Sequence, residues 1–378
     1  MSRFVFLSHS DFNLYRFRLP ILKALLAEGH EVVALCPAGR VSPLFARHGI
    51  SHEAYEVDRV GTRLWSELAV VRELGRILRR LRPRLVHTFT HKPNIYGSLA
   101  SRGIRDVAIV NSVTGLGSMY LGPASVIRSG FMNLLYRVAV RRSAAVVFQN
   151  KEDREFFVDR GIVRPEQAVV IRGSGVDTEV FRPSPRTQRA VVTVTMVARL
   201  IRDKGVEEYV EAARRIRAEL GSGVRFWLVG SPDPGNPRSM PEEWVSAVRR
   251  EGVVDVLGER EDIPEILSAT DVYCLPSYRE GLPMSVLEAM ASGLPVVTTD
   301  VPGCRETTED GVNGWRVPPG DLGRLVDALR RLIADADRRE VFGAESRKKA
   351  EKEFSVARVV RQHLELYDRV VAGMPWEG

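Results

Sequence analysis

DVYCLPSYREGLPMSVLEAMASGLPVVTTD, residues 271–300, is the stretch that decides the fold. It opens on an apolar run, 271–276, and closes on another, 295–300. Pro283 suits the first helical position, where its missing N–H costs nothing, and Gly293 suits a helix stop. The spacing therefore predicts a helix over about 283–292. Strand, loop, helix and strand in this order make a parallel crossover unit.

The same alternation continues outward. In the second half, 191–198, 223–230 and 253–258 read as further strands, and 355–373 as a closing helix. In the first half, strands are expected at 3–8, 30–36, 84–89, 107–112, 144–149 and 168–172. Helices are expected at 18–29, 66–81 and 127–142. The polar, proline-containing stretch VFRPSPRTQRA, 180–190, breaks the pattern and reads as a linker. The expected architecture is α/β, two Rossmann-like halves facing across a cleft. Its domains would be 1–183 and 184–354, with 355–378 a C-terminal helix packing back on the first.

Bulk composition supports two packed domains. The chain has 378 residues, 44% hydrophobic and 27% charged, enough for two cores. A net charge of +7 suits anionic partners, although a solvated basic face has the same composition. Three cysteines lie far apart without zinc-site spacing, as expected of a reduced, cytosolic chain. The start, MSRFVFLSHSDF, lacks a signal-peptide core, and no apolar run reaches the ~20 residues of a membrane span.

Ligands of open parallel sheets bind beyond the strands' carboxyl ends. No GxGxxG follows the first strand and no GxxxxGK[ST] exists, so dinucleotide and P-loop sites are not supported. Four other constellations lie after strands. Around the quoted helix, amide groups of residues 281–284 would point unpaired at an anion. Glu280 sits beside them, and Glu288 one to two turns inside. A nucleotide sugar offers phosphate and sugar hydroxyls in about this arrangement. An ordinary loop acid and helix acid would leave the same pattern. In MVARLIRDKG, 196–205, Arg199 and Lys204 could hold a diphosphate, or be a solvated basic loop. In HTFTHKPNIYG, 87–97, His91, Lys92 and Asn94 are candidates to face the cleft, with His87 packed near the strand end. In SHSDFNLYRFR, 8–18, the candidates are His9, Ser10, Asn13, Tyr15 and Arg16, some explicable as a helix start.

EGLPMSVLEAMASGLPVV resembles the Glu-x7-Glu motif of retaining glycosyltransferases of family four, which have the GT-B fold. VARLIRDKG resembles that family's diphosphate-binding segment, and GSGVDTEVF, 173–181, its hinge-side signature. FLSHSDFNLYRFRLPILKAL, THKPNIYG, TGLGS and LYDRV resemble a bacterial subgroup that adds N-acetylgalactosamine, α1,3, to undecaprenyl-diphospho-bacillosamine. The resemblance implies that Glu280 contacts the donor hexose. It implies that the backbone of Gly281, Leu282, Pro283 and Met284 contacts hexose and phosphate, and that Glu288 holds the ribose. Arg199 and Lys204 would hold the diphosphate, with Arg260 near the base by a looser match. Many family members carry His at the position of Thr114, which here would shape the sugar pocket.

The implied reaction is transfer of a hexose or N-acetylhexosamine from a UDP-sugar, best UDP-GalNAc, to a polyprenyl-diphosphate-linked sugar. Retention needs no enzyme nucleophile if the leaving phosphate takes the proton. No metal and no cofactor are expected; the one DAD, 335–337, reads as surface. The segment 119–143, with Arg128, Arg137, Arg141 and Arg142 among apolar residues, fits a peripheral contact with anionic membrane at the inner face of the cell membrane. An ordinary core-facing crossover helix fits it too. Dispersed basic residues and the absence of any nucleic-acid motif argue against that partner. The alternatives are a capsule, O-antigen or exopolysaccharide transferase with another donor, a non-transferring UDP-sugar epimerase, or a nucleotide-sugar-binding protein.

Overall fold

The computed structural model describes residues 1–56, 64–116, 125–184 and 191–374. In chain order the first elements are β1 (Arg3–Leu7), α1 (Asp11–Ala27), β2 (Glu31–Leu35), β3 (Ser51–Glu53), α2 (Leu64–Leu81), β4 (Leu85–Phe89) and α3 (His91–Ala100). Then come β5 (Ala108–Val113), α4 (Ser125–Val140), β6 (Ala145–Phe148), α5 (Lys151–Asp159) and β7 (Ala168–Val170). A second series follows: β8 (Val192–Val197), α6 (Val206–Leu220), β9 (Val224–Val229), α7 (Glu242–Glu251), β10 (Asp255–Gly258), α8 (Ile263–Ser268) and β11 (Val272–Leu275). It closes with α9 (Met284–Ala291), β12 (Val296–Thr299), α10 (Cys304–Thr307), β13 (Gly314–Val317), α11 (Leu322–Ala334), α12 (Ala336–Phe354) and α13 (Val356–Val371).

The chain divides into two compact units, Met1–Ser174 with Ala357–Gly378, and Gly175–Val356. The break falls ahead of the 183/184 boundary expected from the polar stretch, of which 185–190 lie outside the described residues. The reason is local bonding. Val176 N–H donates to the Phe354 carbonyl, Val356 N–H donates back to Val176, and Arg347 holds the carbonyls of Thr178 and Phe181.

Among the described residues the first unit has a seven-stranded sheet, β3-β2-β1-β4-β5-β6-β7, and the second a six-stranded one, β10-β9-β8-β11-β12-β13. The strand pairings in both are parallel. Strand order reverses between β1 and β4 in one sheet and between β8 and β11 in the other, the places where such sheets take ligands. Parallel strands are covered on both faces and so read as continuous apolar runs, as at β8 and β11.

Two helices differ from expectation. α1 begins at Asp11, well before residue 18. Asp11 in its first turn favours the helix dipole, and Pro20 removes only one internal hydrogen bond. The helix thus absorbs Asn13, Tyr15 and Arg16, read from the sequence as loop. Likewise α3 takes in His91, Lys92 and Asn94, because Pro93 is tolerated in a first turn.

α13 packs on the first sheet. Its buried residues Val359, His363, Leu366, Tyr367 and Val370 form one helical stripe. Tyr367 meets Phe4 and Phe6 with ring centroids 6.0 and 6.2 Å away, and its hydroxyl lies 2.6 Å from His87 Nδ1. Truncating a fully buried Leu366 there to Ala would cost roughly 2–5 kcal/mol.

Candidate active site

In the second unit the buried strand β11 delivers a loop, Pro276–Pro283, to the sheet's carboxyl edge. Ser277 donates from Oγ to Glu280 Oε1 at 2.7 Å. Lys204, in the turn after β8, places Nζ 2.5 Å from the same oxygen. Glu280 is 9% exposed, so the loop acid is enclosed and paired, unlike an ordinary solvated one. Two glycines permit this closeness. Gly205 has φ +71°, and a side chain there would collide with the Pro276 carbonyl. Gly303 has φ +79°, and a Cβ there would strike the carbonyls of Glu280 and Gly281.

α9 starts at Met284, with Pro283 as its extended N-cap and Gly293, φ +71°, after its end. The amides of Val286 and Leu287 donate to the Pro283 carbonyl at 3.1 and 3.2 Å, whereas those of Met284 and Ser285 precede the first such bond. Leu282 is buried beneath. Glu288 lies in the second turn and is 8% exposed. It is close enough to Tyr273 that, after burial, its charge adds to what holds that phenol protonated. Arg199 Nη1 pairs with Asp233 Oδ2 at 2.6 Å; the Arg side chain is 57% exposed and the Asp 13%. Arg260 forms a two-point bridge to Asp262, at 2.7 and 2.5 Å, on the exposed loop after β10. Lys204, Ser277 and Glu280 are thus in direct contact, while Arg199 and Arg260 are each engaged elsewhere. Sequence reasoning missed Ser277 and Asp233. Ser277 lay inside the quoted stretch; Asp233, in the loop after β9, carried no signal.

In the first unit His9 Nδ1 lies 2.9 Å from Thr90 Oγ1, and Thr90 holds a strained φ of +74° for a non-glycine residue. Ser10 is the N-cap residue of α1 but makes no side-chain cap bond. Tyr15 OH meets His48 Nε2 at 3.3 Å, and Arg16 is exposed. His91 Nδ1 lies 2.8 Å from Tyr136 OH; burial pushes its pKa down, partly offset by hydrogen bonds with the Leu116 and Gly115 backbone. Lys92 is tied to Glu67 at 2.9 Å. Asn94 is fully buried, accepting from Thr88 and donating to the Ser112 carbonyl, so its side chain ties α3 to β4 and β5. Thr114 is half-buried just past β5. The rest of TGLGS, from residue 117, lies outside the described residues, as do 119–124 of the basic-apolar segment.

The model for "Glycosyl transferases group 1" matches residues 177–349, and that for "Glycosyltransferase Family 4" matches 20–180. The N,N'-diacetylbacillosaminyl-diphospho-undecaprenol alpha-1,3-N-acetylgalactosaminyltransferase of Campylobacter jejuni is 29% identical, over 98% of this chain and 99% of its own. The alpha-maltose-1-phosphate synthase of Mycolicibacterium smegmatis is 31% identical, over 76% of this chain and 79% of its own. Among solved structures, Anabaena HepE with UDP and glucose superposes with a TM-score of 0.79 at 23% identity, covering 97% and 100% of the two chains, which speaks to fold alone. Matches over both halves, and two parallel sheets of this order, make the chain a member of the family-four glycosyltransferases with the GT-B fold.

Proposed function

We propose that this glycosyltransferase moves an N-acetylhexosamine, with UDP-GalNAc the leading donor, onto a sugar carried by polyprenyl diphosphate, with retention and without a metal. The observation that carries the reading is the Lys204–Ser277–Glu280 contact beside the start of α9. It sets a cation and open amides for a diphosphate next to an enclosed carboxylate for sugar hydroxyls. The full-length likeness to the Campylobacter enzyme supports the acceptor class and the donor.

In the proposed step the bond from the sugar's C1 to the UDP oxygen breaks. A bond from C1 to the acceptor oxygen forms on the same face, and the acceptor's proton passes to the leaving diphosphate. Lys204, Arg199 and the α9 amides stabilise the charge that develops there. Glu288 holds ribose hydroxyls, and Arg260 lies toward the base. In the first unit His9, Ser10, Tyr15, Arg16, His91, Lys92 and Thr114 are the acceptor candidates.

Membrane contact belongs to the same proposal. Leu134 and Val138 on α4 are 55% and 44% exposed, one turn apart. Beside them Arg102, Arg137, Arg141, Arg142 and Arg164 line a cavity of about 900 Å³. Among the described residues no helix is long and apolar enough to cross a membrane.

The deciding assay offers UDP-GalNAc and UDP-GlcNAc separately, with a short polyprenyl-diphospho-amino-sugar in detergent. Mass spectrometry reads the lipid product and NMR its anomer. One added N-acetylhexosamine in α-linkage from one donor supports the proposal. UDP release without lipid product would move the search to other glycans and donors of surface polysaccharides. Loss of turnover in EDTA, restored by magnesium, would remove the metal-independent part.

A further inference from the structure

The buried residues of α1 are Asp11, Leu14, Arg18, Ile21, Leu22 and Leu25. Asp11, at the helix start, accepts from the Val41 and Ser42 amides and the Ser42 hydroxyl. Of the other five, four are apolar and one is a guanidinium. Arg18 is 3% exposed, and its charged end lies 4.5 Å from the centre of the Phe89 ring. Phe89 is the last residue of β4, so the cation sits at the sheet's carboxyl edge, where ligands of parallel sheets bind.

Among the described residues no carboxylate acts on it. The polar neighbours are His87, His363 and Tyr367, from β4 and α13. His87 is occupied by Tyr367 OH at 2.6 Å and Ser112 Oγ at 2.8 Å. His363 gives its Nδ1 proton to the Val359 carbonyl at 2.8 Å, which leaves Nε2 a bare acceptor. Burial keeps both rings neutral and the phenol protonated. Arg18 itself, lowered only to about 10 by burial, stays charged at neutral pH. Among the described residues, Arg18 Nε and His363 Nε2 are two of the enclosed polar atoms that have no hydrogen-bond partner. An enclosed cation with no counter-charge is costly, and buried charges are as a rule paired.

We propose that Arg18 is an anion receptor at the carboxyl edge of the first sheet, taking an oxygen of a phosphate or diphosphate group. A planar guanidinium over an aromatic ring, with its counter-charge missing, is suited to such an anion. Assigning the phosphate to a lipid-linked acceptor rests on the function proposed above; a free phosphate has the same chemistry.

The test uses the full chain and its Arg18→Met and Arg18→Lys variants. Thermal unfolding is followed with no anion, with inorganic pyrophosphate, and with a short polyprenyl diphosphate in detergent, all in saturating UDP so that the donor site is filled. Without anion, Arg18→Met is expected to melt about 2–4 °C above the parent, because the enclosed charge is gone. The parent is expected to gain stability with pyrophosphate, Arg18→Met to gain none, and Arg18→Lys to gain in part. A lower half-saturating concentration for the polyprenyl diphosphate assigns the lipid-linked source; equal response assigns a free anion. If Arg18→Met is less stable, or does not fold, the side chain is structural, Arg18 Nε and His363 Nε2 being bridged by an enclosed water, and the proposal falls. An unchanged pyrophosphate response in Arg18→Met overturns it as well. Failure of UDP to stabilise the parent would instead strike the donor assignment, and the difference between parent and Arg18→Met would still read the anion.

Discussion

Lys204 Nζ and Glu280 Oε1 stand 2.5 Å apart, and their side chains are 19% and 9% exposed. The two residues lie on loops from adjacent strands, β8 and β11, and Ser277 donates to the same carboxylate oxygen. Each therefore sets the other's position as well as contacting the donor in the proposed reaction. Lys204→Met and Glu280→Gln are each expected to lower kcat by about 10²–10³-fold. The double variant should lose much less than the product of the two, since the residues act as a unit. Kinetics of the three variants, with circular dichroism to show folding, check this. Multiplicative losses would separate the residues into independent roles.

Arg199 is held by Asp233 at 2.6 Å, and in the proposed reaction a donor diphosphate would have to compete for it. The Arg is more than half exposed, so the pair is partly screened and its worth modest. Asp233→Asn is expected to tighten UDP binding roughly two- to five-fold at low salt, and hardly at all in high salt. Titration calorimetry at two salt concentrations measures it. Weaker binding in Asp233→Asn would mean that the carboxylate positions Arg199 for the donor.

Much of this was legible in the sequence, for physical reasons. Buried parallel strands must be apolar throughout, so β1, β2, β4, β8 and β11 announced themselves within a residue or two. The short edge strands β3 and β13 bury little and did not. α3 was hidden because HKPNIYGSLA carries Pro, Asn and Gly, residues of turns; only the packing of its buried face makes it helical. Lys204 and Glu280 could be named because each follows a strand. Their contact could not, since it depends on which strands are neighbours, and β8 and β11 are far apart in sequence. Arg18 carries no signal in the sequence, because a basic residue on a helix normally lies on the wet face.

Burial lowers the pKa of His363 to about 4. An unfolded histidine titrates near 6.5, so between these values the unfolded chain binds the extra proton. Stability contributed by the neutral ring is complete above about pH 6.5 and is lost as pH falls toward 4, on the order of 3 kcal/mol. His87, also lowered by burial, acts in the same direction. Denaturant unfolding between pH 7.5 and 4.5 should show stability falling with acid, and His363→Gln should flatten that slope. An identical slope in the variant would place the acid sensitivity elsewhere.

The exposed pair Leu134 and Val138 gives the membrane proposal its sharpest test. The two face the same side of α4, one turn apart, and α4 ends into Arg141 and Arg142. Apolar side chains can enter the headgroup region while the arginines meet anionic lipid, each charge worth about 1 kcal/mol near the surface. Leu134→Glu with Val138→Glu removes the apolar part and adds repulsion; Arg141→Glu with Arg142→Glu reverses the charge. Both pairs are expected to abolish flotation with vesicles containing anionic lipid, and the parent's flotation should weaken as salt rises. Transfer to a short, detergent-dissolved acceptor should be unchanged, because these residues lie outside the proposed donor and acceptor contacts. Flotation that survives both pairs would locate membrane contact on another surface, or leave the lipid-linked acceptor alone to bring the enzyme to the bilayer.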